Sequence, residues 1–274
     1  MTDKAHAEGP GKNRFGKTFL ALFGLGLLGV LSVIPTVIGQ LDALPAELAD
    51  LPAPLAVALS LVSPAILLAI SVAVGTLLAH RVGLRSLIAE RVRQGKAIWP
   101  DLRPHIPTAF AAGIVFSLVL VGLDQLIDPF ADTELLSEMV GEVDLLGNLL
   151  VGLFYGGLVE ELVLRWGVMS LLVWIGWRLL QRGEGSPRPA LVWTAIMLSA
   201  LLFGIGHLPA LAAIVPLTAL IVLRTVVLNA LGGLLFGWLF WKRNLEVAMV
   251  AHASTHVGIF GINAVVVLLN LGAS

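Results

Sequence analysis

The stretch "LLGNLLVGLFYGGLVEELVLRWGVMSLLVWIGWRLL", residues 145–180, is an apolar run of 36 residues that carries Glu160, Glu161 and Arg165 near its middle. One membrane crossing needs about 20 apolar residues, so this run has to tilt, protrude or bend near Gly167. Ionisable side chains at membrane depth are costly and mark function by default. Glu161 and Arg165 stand four apart, which puts them on one helix face where they can pair. Glu160 has Gly156 and Leu164 at the matching positions, and it points about 100° away from Glu161. One carboxylate therefore reads as neutralised and architectural, the other as free for chemistry. The competing reading is that all three groups only pin helices together.

Working outward, 58% of the 274 residues are hydrophobic and 13% charged, and the mean hydropathy is +0.95. A soluble domain carries about 25% charged residues, so this is a polytopic integral membrane protein, an all-α helical bundle. A formal net charge of −1 points neither to nucleic acid nor to an acidic partner. With no cysteine, disulfides, thiolate nucleophiles and sulfur-ligated zinc are excluded. Further spans are expected at 18–40, 54–79, 106–127, 190–207 and 246–271, with an apolar stretch at 210–241 interrupted only by Arg224. The chain divides into a polar segment at 1–17, N-terminal spans and loops at 18–144 and a core at 145–271. Together they make one membrane domain.

Lysine and arginine in short loops set orientation. Lys4, Lys12, Arg14 and Lys17 precede the first span, and the 81–103 loop carries Arg81, Arg85, Arg91, Arg93, Lys96 and Arg103. The charges of 128–144 are all acidic, and 42–53 has no lysine or arginine. The expected placement is a multi-pass protein of the bacterial cytoplasmic membrane with its N-terminus in the cytoplasm.

Three histidines fall at membrane depth. His207 closes "SALLFGIGH", and His252 and His256 stand four apart, so both imidazoles share a helix face. That spacing suits two metal ligands, or a ligand and an oxyanion donor. His6, His80 and His105 lie in or beside polar loops. Small residues accompany the polar ones. Gly156 and Gly157 precede the carboxylates, and Gly233 and Gly237 form a small-xxx-small face for close helix approach.

Three elements in order, EExxxR (Glu160, Glu161, Arg165), FxxxH (Phe203, His207) and a histidine helix after a glycine-rich segment, resemble the CPBP family of intramembrane proteases, also called the ABI family. That family includes type II CAAX prenyl endopeptidases and bacteriocin-processing or immunity proteins. The resemblance covers about residues 145–260. It implies Glu160 as the catalytic glutamate, His207 and His252 as the catalytic histidines, and Glu161, Arg165 and Phe203 in support. The family's last motif is HxxxN, and here His256 stands at the asparagine position.

The chemistry that the resemblance implies is peptide hydrolysis at the membrane. Glu160 activates a water, and His207 with His252 holds that water, directly or through a divalent metal such as zinc on Glu160, His207 and His252. His252 and His256 then support the oxyanion. The implied partners are a peptide or membrane-protein substrate and the lipid bilayer. An inactive scaffold of the same fold, in bacteriocin immunity or sensor modulation, is the alternative. Convergence of the histidines, together with the family's fold, favours two crossings within 210–241 turning near Arg224, hence about eight transmembrane helices.

Overall fold

The computed structural model describes residues 10–39, 51–127, 144–213 and 215–271, and every regular element among them is helical. The acidic 128–143 stretch, residues 42–50 and the first nine residues, on which the expected orientation partly rests, lie outside the described residues. Helix α1 spans Pro10–Leu31, so it starts ahead of the polar-to-apolar boundary at 18. Helix α2 spans Ala53–Leu78 and ends in a 3-10 turn at Ala79–Val82. Helix α3 spans Leu87–Gln94 and α4 spans Ile106–Ile127. The 36-residue apolar run is α5: it starts as Leu145–Val151, passes through a π-helical stretch at Gly152–Met169 and resumes as Ser170–Leu180. Helix α6 is Pro189–Gly206, α7 is Ala219–Lys242 and α8 is Leu245–Leu271. Among the described residues six helices are long and apolar enough to cross a membrane. Helix α5 makes a seventh by length, close to the eight expected.

The expected turn near Arg224 is absent. Arg224 lies inside the continuous helix α7, with its Nη2 2.7 Å from Asp124 on α4, and that ion pair is what lets a lone guanidinium remain in an apolar helix. Lys242 and Arg243 therefore sit on the face that holds the 81–103 loop. They share a cavity of about 330 Å³ with Arg85 and His105. The backbone N–H of Leu245 donates to the Arg85 carbonyl at 3.0 Å on the same face.

Leucine, valine and isoleucine point outward along α2, α4 and α8, for instance Ile70, Leu118 and Leu268 at 57, 59 and 69% exposure. Helices this apolar on all sides need lipid around them. Glycine sets how closely they meet. A Cβ on Gly233 would stand 2.6 Å from Ala200, and one on Gly237 3.1 Å from Ile196, so α6 and α7 pack nearly backbone to backbone as the small-xxx-small spacing implies. The loop between α2 and α4 is not irregular. Ser86 caps α3 by accepting from Ala89 N–H, and Glu246 at the start of α8 accepts from Leu87 and Ile88 N–H at 2.8 and 3.0 Å. On the exposed side the Arg85 guanidinium holds the Glu90 carboxyl below the usual carboxylate range.

Candidate active site

The π-helical stretch carries Gly152, Gly156 and Gly157 in its first two turns, ahead of Glu160, Glu161 and Arg165. Such winding is rare and usually a single turn, and it recurs at functional sites. Its glycines admit α8: a Cβ on Gly156 would lie 2.7 Å from Nε2 of His256 and 3.4 Å from Nε2 of His252. Helix α6 delivers Phe203 and ends at His207, while α8 delivers His252 and His256 near its start.

These side chains meet. Glu160 is 18% exposed at its side chain, and its Oε1 lies 3.6 Å from Nε2 of His207. Its Oε2 lies 3.7 Å from Nε2 of His252. Convergence does not need the extra crossing, because Glu160 reaches from α5 to a ring on each of two other helices with one oxygen apiece. Both rings are oriented from behind. Nδ1 of His207 is 2.8 Å from the Phe203 carbonyl, which can only accept, so that nitrogen bears the proton. Nδ1 of His252 is 2.8 Å from Oε1 of Glu161. With Nδ1–H engaged in each, both Nε2 lone pairs face Glu160. The separations are too long for direct hydrogen bonds, which leaves all three groups facing the cavity they line.

The pairing expected of Glu161 and Arg165 is present at 3.4 Å, with both side chains fully buried. Architecture is not all that Glu161 does, since its other oxygen holds His252. The Arg165 guanidinium finds no aligned hydrogen-bond acceptor among the described residues. It lies instead over the faces of Phe203 and Phe236, 4.7 and 5.5 Å from their centroids. Phe203 thus separates the cation from the imidazoles, meeting His207 and His252 edge-on at 4.8 and 5.8 Å.

His256 stacks on His252 at 5.2 Å, and Phe236 stacks on the other face of His252 at 4.3 Å. Among the described residues the His256 ring makes no hydrogen bond to protein and lines a cavity of about 530 Å³ together with Glu160, His207 and His252. Tyr155 and Asn229 also line it and were not singled out from the sequence. Nor was Phe236. Asn229 opens the glycine-rich segment of α7 and Tyr155 is the chain's single tyrosine, but an isolated amide or phenol in an apolar run carries no spacing signal. Phe236 looks like any core aromatic.

A metal on Glu160, His207 and His252 does not follow from this arrangement. The rear hydrogen bonds on both Nδ1 atoms are of the kind that orient metal-ligating histidines. Yet among the described residues no three His, Asp or Glu side chains are placed to hold one ion.

Residues 142–258 match the family model described as type II CAAX prenyl endopeptidase Rce1-like. The matched segment contains Glu160, Glu161, Arg165, Phe203, His207, His252 and His256. No curated protein and no solved structure matches the chain.

Proposed function

We propose that the Rce1-like domain at residues 142–258 makes this chain an endopeptidase that hydrolyses a peptide bond within or beside the membrane, using a water activated by Glu160. The observation that carries the reading is one carboxylate, 3.6 and 3.7 Å from two imidazole Nε2 atoms, at the wall of a cavity among apolar helices. Carboxylate and both lone pairs are acceptors, so the natural occupant is a water donating one hydrogen to Glu160 and the other to an imidazole.

In the reaction Glu160 takes a proton from this water as its oxygen attacks the scissile carbonyl carbon. The carbonyl oxygen becomes an oxyanion and accepts a hydrogen bond from an N–H of His256, which has no competing partner among the described residues. Glu160 then passes its proton to the amide nitrogen, the C–N bond breaks, and the new carboxylic acid gives its remaining proton to the released amine, so a carboxylate and an ammonium leave. Either His207 or His252 accepts the water's second hydrogen at Nε2, and each ring is fixed by its Nδ1–H bond. Glu161 and Arg165 are positioning residues: Glu161 aims His252, and Arg165 offsets the buried charge of Glu161.

The test is a purified protein in lipid nanodiscs with a membrane-tethered peptide, run in oxygen-18 water. One new carboxyl terminus carrying a single heavy oxygen is expected. Intact peptide across varied sequences, with protein that is folded and monodisperse, rejects hydrolysis and puts the inactive-scaffold reading in its place.

A further inference from the structure

A second polar site lies far from the carboxylates, at the corner where α1, the end of α2 and α3 meet. A cavity of about 370 Å³ there is lined by Arg14, Arg81, Arg93, His80 and Thr76, and no carboxylate is in its wall. Thr76 is 1% exposed, and its hydroxyl oxygen has no hydrogen-bond partner among the described residues. A buried hydroxyl left unpaired costs free energy unless something outside the chain meets it. Arg81 also borders a neighbouring cavity walled by Trp174, Trp177 and Arg178. Tryptophan collects at the headgroup level of a bilayer, so these rings mark the depth of the site. Leu77, 47% exposed, continues the wall towards lipid.

We infer that this corner binds the phosphate of an anionic lipid headgroup. Guanidinium groups present paired donors that match phosphate oxygens, and the Thr76 hydroxyl adds a neutral donor at the back. Basic pockets between helices at the membrane face take anionic headgroups by this chemistry. The carbonyl ends of α2 and α3 also face the corner and oppose an anion. Arg93 covers one of them by donating to the Thr76 carbonyl, and Arg14 and Arg81 likewise form no ion pair with described residues and have no such carbonyl partner. The other basic cavity, around Lys242 and Arg243, is a weaker candidate. Asp101 is in its wall, and its Arg85 is paired with Glu90 at 2.7 Å.

The experiment measures lipid binding by native mass spectrometry and thermal stability in phosphatidylcholine nanodiscs titrated with phosphatidylglycerol. Phosphatidylglycerol should bind and raise the melting temperature, and Arg81→Gln or Arg14→Gln should weaken binding about fivefold each. Thr76→Val, which keeps shape and removes the donor, should weaken it as well, while Arg243→Gln should leave it unchanged. Equal binding of the two lipids overturns the proposal. So does an equal loss in Arg243→Gln, which means diffuse surface charge. Full stabilisation by inorganic phosphate alone, with no further gain from phosphatidylglycerol, removes the lipid as the ligand. If Thr76→Val does not fold, the two arginine variants decide the matter.

Discussion

At the scale of single residues the site turns on what each ring nitrogen faces. His207 and His252 are committed at Nδ1, so their free nitrogens are acceptors and cannot donate to an oxyanion without taking up a proton. That division leaves the donor role to His256, at the position where the resembling motif has asparagine. An amide donates from nearly the same place, so His256→Asn should keep turnover within about tenfold of wild type. Loss of an oxyanion donor costs roughly a hundredfold or more, so His256→Ala should fall by that much. Paired peptide-cleavage assays of the two variants check this, and equal losses in both contradict the donor role. The sequence made the triad of Glu160, His207 and His252 legible because ionisable side chains stand out in an apolar chain. It did not reveal the second bond of Glu161, since helical spacing reports a partner four residues away and is silent about one 91 residues away.

Among the elements, the π-helical stretch of α5 has the greatest consequence. Glycine at 152 and 156 lets the imidazoles of α8 lie against its backbone, so Gly156→Ala forces a Cβ to within 2.7 Å of His256. Misplacement by an ångström can cost a hundredfold, and turnover should drop at least tenfold with little change in melting temperature. Gly261→Ala, on the same helix as His256 but with open space around it, is the matched control and should be neutral. If both alanines behave alike, close approach at Gly156 has no part in the mechanism. Arg165 is the stability counterpart. Removing it strands a fully buried carboxylate, and Arg165→Ala should destabilise by about 3–5 kcal/mol, read as lower folded yield and earlier thermal unfolding. A variant as stable as wild type rejects the pairing. The length of α5 pointed to something irregular, though not to its kind: apolar spacing cannot distinguish a bend from a widened hydrogen-bond ladder.

For the whole molecule, the all-helical bundle and the ends of most spans follow from hydropathy, whereas the reading of 210–241 as two crossings does not survive. Upright helices of fixed rise place His207 and His252 at different depths, and the two crossings answered that. A side chain bridging from a third helix answers it with no turn at all. Topology then becomes a direct prediction. Because the chain has no cysteine, single-cysteine variants Arg91→Cys and Arg243→Cys can be labelled with an impermeant maleimide. Both should react from one side of the membrane, and reaction from opposite sides contradicts the single crossing of α7. Whether Glu160 activates the attacking water is decided by turnover of Glu160→Gln on a membrane-tethered peptide, measured beside its melting temperature. Unchanged folding and a loss of at least about a hundredfold, the contribution of a general base, are expected. Turnover within a few-fold of wild type contradicts that role.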